Sequence, residues 1–274
     1  MPNVSERLRE RDRWGQEKFM TEFVETTDGI RIAYERVGHG PPVLLVHGFA
    51  SSKEQNWKST GWYGSLTEAG YSIVAIDNRG HGESGKPHDP LLYSHDRMAE
   101  DVATVMDAAG IKSAPYVGYS MGGLIGLRFL MLFPERVTRL ALGGVGETYL
   151  TGPRVSDPER KEMIADALLT DDKSSITDAR ARMFRDFAEQ QGKDRVALAA
   201  CMRGMSPPLP VGVLQSLDKP VLVVDGDQDF VAGLPGPLAA IFPHGSAAIV
   251  PGRDHMSAVG ARPTRQAVLD FLKS

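Results

Sequence analysis

Length, composition and charge exclude several classes of protein. The chain has 274 residues, 42% hydrophobic and 24% charged, enough for one globular domain with a sizeable core. Its 31 Lys and Arg against 35 Asp and Glu give a net charge of -4, which offers no basic field for a phosphate backbone. The single cysteine, Cys201, cannot form an internal disulfide, and no cluster of Cys with His has zinc spacing. We therefore expect neither nucleic acid as a partner nor a bound metal.

The N-terminus and the apolar runs bear on where the protein resides. Residues 1–20 form a charged, polar leader without the apolar centre that a signal peptide requires. The longest apolar stretches have the length of strands and fall far short of the roughly 20 residues that cross a bilayer. We expect a cytoplasmic protein that does not enter the membrane.

From residue 21 onwards the pattern predicts an α/β fold. Residues 21–26 and 30–37 alternate apolar with polar around Asp28-Gly29, which is typical of an antiparallel hairpin. Short, continuously apolar runs follow, as in strands buried on both faces: 43–46, 72–76, 115–118, 140–142, 221–224 and 247–250. Helix-length segments lie between them: 62–69, 97–109, 121–133 and 263–272. This alternation predicts a mainly parallel sheet of the eight-stranded type, with helices on both faces.

A long segment after the sixth strand interrupts this alternation. Between residues 147 and 216, three helix-like stretches follow one another without a strand. The first begins at Asp157-Pro158, a suitable N-cap and first position of a helix. We predict that residues 147–216 form a helical cap, and that residues 21–146 and 217–274 form the core domain.

The strongest chemical motif is Gly118-Tyr119-Ser120-Met121-Gly122. It follows an apolar strand and precedes a helix-like run. Glycines two residues on either side of a serine allow a tight turn that exposes the hydroxyl, while the positive end of the next helix points toward it. The context predicts that Ser120 is a nucleophile.

This motif, in this context, resembles the α/β-hydrolase superfamily, in its serine-nucleophile branch of esterases, C-C hydrolases and perhydrolase-like enzymes. The resemblance extends from about residue 21 to the C-terminus. In that family an acid and then a histidine follow the serine along the chain, so the resemblance implies that both lie after Ser120.

His255 is the predicted general base. It follows the last apolar strand, in the loop before the terminal helix. Histidine can accept the serine proton in one step and return it in the next, because its usual pKa lies near neutrality. The alternative, His244, precedes that strand and should lie at its opposite end.

The acid is predicted within Asp225-Gly226-Asp227-Gln228-Asp229, directly after a buried strand. Asp229 best matches the family's pattern of a glycine, two residues and an aspartate, and would orient the imidazole of the base. Asp227 is the alternative within this loop. Glu147, after the preceding strand, is a further one, and aspartates here also suit turn formation.

Two backbone N–H groups are predicted to form an oxyanion hole. One belongs to Met121. The other belongs to Phe49, because His47-Gly48-Phe49 resembles the family's HG-x element. His47 itself is interpreted as a structural residue. The stretch from Asp77 to Ser84 resembles the family's D-x-R-G-x-G-x-S turn and is also interpreted as structural.

Side chains of the predicted substrate pocket come from the core and from the cap. We assign Phe49, Tyr119, Met183 and Phe184 to it. Cap arginines suit an acidic substrate group, but spaced arginines on a helix more often form a solvated face. These are Arg180, Arg182, Arg185 and Arg203.

Together these residues predict a serine hydrolase that cleaves a carboxylic ester through an acyl-enzyme. The expected partner is a small molecule with an apolar acyl or alcohol group, and no cofactor is expected because no nucleotide or metal motif is present. The alternatives are a C-C bond hydrolase, a cofactor-free perhydrolase or haloperoxidase, and a non-catalytic ligand-binding protein of the same fold. The motifs do not separate these chemistries.

Overall fold

A computed structural model of the chain describes residues 20–151, 157–189 and 193–274. The predicted leader, apart from Met20, lies outside these ranges. The strands form one eight-stranded sheet. They are β1 (Thr21–Glu25), β2 (Arg31–Val37), β3 (Pro42–Val46), β4 (Ser72–Ile76), β5 (Ala114–Tyr119), β6 (Val137–Gly143), β7 (Val221–Gly226) and β8 (Gly245–Val250).

The order of the strands is β1-β2-β4-β3-β5-β6-β7-β8. β1 and β2 form the predicted hairpin, and β2 also pairs antiparallel with β4. The remaining neighbours are parallel. The predicted fold class is confirmed, and the carboxyl ends of β3 to β8 meet at one edge of the sheet.

Helices cover both faces of the sheet. They are α1 (Trp62–Glu68), α2 (His95–Ala108), α3 (Met121–Leu132), α4 (Thr148–Thr151), α5 (Pro158–Leu169), α6 (Ala179–Glu189), α7 (Arg195–Gly204), α8 (Val211–Gln215), α9 (Pro235–Ala239), α10 (His255–Ala258) and α11 (Arg262–Lys273). One buried apolar cluster lies under α1 and α11, and a larger one lies under α2, α3 and α9. None of the helices within the described ranges is long and apolar enough to span a membrane.

Five α-helices, α4 to α8, lie in the described part of the segment between β6 and β7, and we call them the helical insertion. Its three longer helices, α5, α6 and α7, correspond to the three predicted stretches. They pack on one another, and buried residues of α5, α6 and α7 join the larger apolar cluster of the sheet. The insertion therefore shares one apolar core with α2 and α3.

One strand and one helix differ from the sequence prediction. β8 was expected to be buried on both faces, and this is wrong. It pairs only with β7 and is mostly exposed, with Ile249 55% exposed. Short helix α9 between β7 and β8 was not predicted, since its Pro-Gly-Pro sequence does not show helical periodicity.

Candidate active site

Ser120 occupies a strained turn between β5 and α3. Its φ of 52° and ψ of -117° are rare for a residue with a side chain. Close packing of the backbone holds this turn in place. A Cβ on Gly122 would lie 2.0 Å from the Val46 carbonyl oxygen, and one on Gly118 would lie 2.3 Å from the Gly122 oxygen. The motif needs glycine at both positions because the elbow touches itself and the end of β3.

Three side chains from three strand ends form a continuous hydrogen-bonded chain. The Ser120 hydroxyl lies 3.0 Å from His255 Nε2, and His255 Nδ1 lies 2.8 Å from Asp229 Oδ2. His255 and Asp229 are buried, whereas Ser120 is partly open. The structure thus brings together the predicted nucleophile, base and acid in a geometry that permits proton transfer from the serine.

Local structure fixes the orientation of His255 and Asp229. Asp254 caps helix α10, which begins at His255, by accepting hydrogen bonds from the Met256 and Ser257 N–H groups. Asp229 uses its second oxygen, Oδ1, to accept N–H groups from Val231 and Ala232, at 2.9 and 2.8 Å. The carboxylate therefore has little freedom to turn away from the imidazole.

The other acids near this loop have different surroundings. Asp227 Oδ1 accepts the Gly252 N–H, so Asp227 is used in a turn. Asp225 is fully buried; its Oδ1 accepts the Val145 N–H, and its Oδ2 has no partner among the described residues. Burial raises the pKa of Asp225 well above its usual range, and the neighbouring Asp229 raises it further. Among the described contacts of His255, only Asp229 supplies a carboxylate.

The two predicted oxyanion donors lie beside the nucleophile. Gly48 packs against Ser120, since a Cβ on Gly48 would lie 3.3 Å from the Ser120 Cβ. This places the next residue, Phe49, near the serine. Within the part of the chain that the structure describes, the N–H groups of Phe49 and Met121 have no hydrogen-bond acceptor. Both donors are available to a bound oxygen.

His47 holds neighbouring backbone groups in place, as expected for a structural residue. Its buried Nδ1 donates to the Gly48 carbonyl at 2.8 Å, and its Nε2 accepts the Asn78 N–H at 3.0 Å. The loop from Asp77 to Ser84 is likewise tied down. Buried Arg79 pairs with Asp101 at 2.6 Å, and the Ser84 hydroxyl donates to the Asp77 carbonyl.

Two cavities meet at Ser120, with volumes of about 200 and 110 Å³. The first, which we call the aromatic cavity, is lined by Phe49, Tyr119, Met183, Phe184, Phe187, Met256 and other residues. The second, the Arg180 cavity, runs past Leu124 and is lined by Arg180, His95 and Arg128, among others. Both cavities therefore reach the Ser120 side chain.

All four residues predicted for the substrate pocket line the aromatic cavity. The Phe49 and Phe184 rings meet edge to face, with their centroids 5.4 Å apart. Tyr119 has a further contact that the sequence did not indicate, because its hydroxyl donates to the His255 carbonyl at 2.6 Å. It therefore supports the backbone of His255 as well as the cavity wall.

The structure shows which of the four cap arginines lie at the site, a question that the sequence left open. Arg203 pairs with Glu162 and Asp166, and buried Arg185 donates to the Ala167 carbonyl near the end of α5. Arg182 donates to the Ile176 carbonyl and does not line either cavity at Ser120. Arg180 alone of the four lines such a cavity.

His95, at the start of α2, was not recognised from the sequence. It is 3% exposed, and its Nε2 has no hydrogen-bond partner among the described residues. Burial lowers the pKa of His95 to about 3, assisted by Arg128 and Lys161, so the imidazole is neutral at physiological pH. In the sequence, its position at the start of a helix did not indicate a role in the site, because residues of the helical insertion complete the cavity that it lines.

Comparison with known proteins defines the family. The model of the alpha/beta hydrolase fold matches residues 41–186, more than half of the chain. The chain belongs to the α/β hydrolase fold family. It is 29% identical over 226 residues to a putative 2-succinyl-6-hydroxy-2,4-cyclohexadiene-1-carboxylate synthase of Bacillus subtilis, covering 75% of this chain and 81% of that protein.

Other relatives within the α/β hydrolase fold family bear hydrolase names. The chain is 32% identical over 120 residues to the bifunctional epoxide hydrolase 2 of Sus scrofa, a match that spans 43% of this chain and only 21% of that protein. A hydrolase from Pseudomonas aeruginosa superposes with a TM-score of 0.76 at 26% identity, over 93% of this chain and 98% of the other. These similarities support an α/β-hydrolase enzyme.

Proposed function

We propose that this α/β-hydrolase is a serine hydrolase that cleaves a carboxylic ester through an acyl-enzyme. The observation that carries the proposal is the hydrogen-bonded chain from Ser120 through His255 to Asp229, at 3.0 and 2.8 Å, on a strained nucleophile elbow. Ser120 is the nucleophile, His255 the general base and Asp229 the group that orients the base.

In the first half of the reaction the Ser120 oxygen attacks the ester carbonyl carbon while its proton passes to His255 Nε2. Asp229 stabilises the imidazolium that forms. The N–H groups of Phe49 and Met121 donate to the carbonyl oxygen as it becomes an oxyanion. When the intermediate collapses, the C–O bond to the alcohol breaks, and His255 gives its proton to the departing alkoxide.

In the second half, water hydrolyses the acyl-enzyme. His255 accepts a proton from water, the hydroxide attacks the acyl carbon, and the same two N–H groups hold the oxyanion. Collapse breaks the bond to Ser120, which regains its proton from His255. The products are one carboxylic acid and one alcohol, and the residues return to their starting protonation states.

The helical insertion supports a substrate with an apolar part. Its Met183, Phe184 and Phe187 form one wall of the aromatic cavity, and methionine and phenylalanine suit an adaptable apolar site. We propose that residues 147–216 act as a cap that shapes the site, with residues 21–146 and 217–274 as the catalytic core.

The residue at the elbow argues against alkyl-enzyme chemistry. Epoxide hydrolases of this fold are expected to use an aspartate where this chain has Ser120, so the name of the pig relative is not carried over. Hydrolysis of a carbon-carbon bond, perhydrolysis and single-turnover binding use or retain the same three residues, and the first and the last of these become outcomes of the test.

The test is turnover on a matched panel: p-nitrophenyl esters of increasing acyl length, a lactone, a thioester and a vinylogous diketone, each with parent and Ser120→Ala. We expect a burst of one equivalent of p-nitrophenol, followed by steady turnover of esters, for the parent only. A preference for the diketone would assign C-C bond hydrolysis instead. Product limited to one equivalent with every substrate would contradict the enzymatic proposal and favour a binding protein.

A further inference from the structure

The two cavities at Ser120 differ in charge. In the described part of the chain, the residues lining the aromatic cavity include no Lys, Arg, Asp or Glu. Those lining the Arg180 cavity include Arg128 and Arg180 and no acidic residue. Because both cavities reach the same nucleophile, the two halves of a bound substrate meet different electrostatic surroundings.

The charge of Arg128 is largely used within the protein. Its Nη2 donates to the Pro207 carbonyl at 2.7 Å, and its Nη1 lies 3.4 Å from an Asp96 oxygen. It therefore forms part of the wall of the cavity and has its own carboxylate partner. The cation that remains for a ligand is Arg180.

Arg180 has no carboxylate within salt-bridge distance in the described ranges. Its one hydrogen bond there is a long one, 3.3 Å from Nη2 to the Phe230 carbonyl oxygen. Partial burial lowers the pKa of Arg180, and the nearby cation Arg160 acts in the same direction, whereas the carboxylates of Asp178 and Asp229, which lie beyond salt-bridge distance, raise it. A guanidinium partly removed from water and without a directly paired carboxylate is suited to bind an anion from solution.

His95 adds an independent indication of a ligand in the same cavity. Its neutral imidazole is almost fully buried, and its Nε2 is left without a partner. A buried polar nitrogen without a hydrogen bond costs free energy, and a ligand atom that bonds to it removes that cost. Beside it, Ser206 Oγ accepts the backbone N–H of His95 and keeps its hydroxyl proton to donate.

From this arrangement we infer that the substrate carries a free carboxylate, on the half that enters the Arg180 cavity, and that Arg180 is the residue that selects it. His95 offers a further hydrogen-bonding group to the same half. The apolar half of the substrate occupies the aromatic cavity. This inference rests on the proposed ester hydrolysis and narrows its substrates to acidic esters, such as half-esters of dicarboxylic acids.

The experiment compares pairs of esters that differ only in one charge. In the first pair, mono-p-nitrophenyl glutarate carries a carboxylate on its acyl half, and its methyl ester lacks that charge. In the second pair, 4-carboxyphenyl acetate carries the carboxylate on its alcohol half, and its methyl ester is again the uncharged partner. In one of the pairs, we expect kcat/KM for the carboxylate to exceed that for its methyl ester by about tenfold or more, as for a charge-assisted contact at a partly buried site.

Variants assign the preference to Arg180. Arg180→Met should reduce the ratio of the two kcat/KM values to about one, and Arg180→Lys should retain part of it. The matched control is Arg182→Met, which removes one positive charge from the same helix without touching either cavity, and the ratio should stay at the parent value. A ratio near one in both pairs for the parent, or an unchanged ratio in Arg180→Met, overturns the inference.

A second measurement is independent of how well the variants fold. Free glutarate should inhibit hydrolysis of the uncharged esters by the parent competitively, and more weakly as salt concentration rises. Inhibition that is absent, or equal to that by the uncharged dimethyl glutarate, contradicts the inference. Failure of the proposed function looks different, because then neither charged nor uncharged esters are turned over.

Discussion

The carboxyl edge of the sheet and the helical insertion above it hold their polar groups in opposite ways. At the sheet edge each reacting group already has its partner: Ser120 bonds to His255, His255 to Asp229, and Asp229 to two backbone N–H groups. The insertion instead brings Arg180 to the cavity without a carboxylate partner in the described residues. The difference suggests that the sheet edge is organised for chemistry and the insertion for selection of the substrate.

If this division is correct, variants of the sheet edge lower kcat and variants of the insertion change KM and selectivity. The largest effect is expected for Asp229→Asn. An asparagine cannot stabilise the imidazolium, and it favours the tautomer with the proton on Nε2, which cannot accept the Ser120 proton, so kcat should fall about 10⁴-fold with little change in KM. Steady-state kinetics on the preferred ester measures both constants.

Two neighbouring aspartates provide controls for Asp229→Asn. Asp227→Asn affects a turn, and Asp225→Asn replaces a carboxyl that has no contact with His255 among the described residues and whose pKa is raised well above its usual range by burial. Both variants should keep kcat within about threefold of the parent. A loss as large as that of Asp229→Asn in either of them would mean that the acid has been assigned to the wrong residue.

A smaller effect is expected in the insertion. Phe184→Ala removes the ring that packs on Phe49 and opens one wall of the aromatic cavity. For an ester with an apolar chain, kcat/KM should fall about tenfold, mainly through KM, because the lost contact stabilises ground state and transition state alike.

Met163→Ala serves as the control for Phe184→Ala, since Met163 is 38% exposed on α5 and lines neither cavity at Ser120. Its kinetic constants should match those of the parent. Should Phe184→Ala lower kcat and leave KM unchanged, the division between chemistry and selection would fail at this residue.

The smallest effect concerns stability and pH. Asp225 keeps its proton in the folded state at pH values where an unfolded aspartate, with a pKa of about 3.9, has lost it. Folding then takes up a proton, so the free energy of unfolding falls as pH rises above about 4 and toward the raised pKa of the folded state. Asp225→Asn cannot ionise and should not show this loss.

Thermal unfolding of both proteins between about pH 4 and pH 7 checks this prediction. The Tm of Asp225→Asn relative to that of the parent should rise by a few degrees across the range. A difference in Tm that stays constant with pH would mean that Asp225 is ionised in the folded protein.

The sequence was sufficient to predict the fold and the residues of the sheet edge, because both depend on local order along the chain. Ser120 lies within a strand-turn-helix motif, and His255 and Asp229 each follow an apolar strand. Since carboxyl ends of parallel strands meet at one edge, residues far apart in sequence could be expected to lie together. The structure brings them within hydrogen-bond distance, and their catalytic roles remain a prediction.

What could not be predicted depends on how elements dock. The exposed position of β8 follows from its place at the edge of the sheet, which an apolar sequence does not reveal. In the insertion, helical spacing predicted α5, α6 and α7, but Arg180 and Arg182 differ by two positions on one helix and only packing decides which lines a cavity. Buried His95 likewise becomes a candidate only once the insertion covers it.

The most direct test of the central claim is intact-mass analysis after exposure to a fluorophosphonate, which labels activated serines, followed by peptide mapping. We expect a single adduct on the parent, located on Ser120, and no adduct on folded Ser120→Ala. Labelling of Asp229→Asn should be greatly slowed. No adduct on folded parent, or an adduct on another serine, would contradict the assignment of Ser120 as the nucleophile.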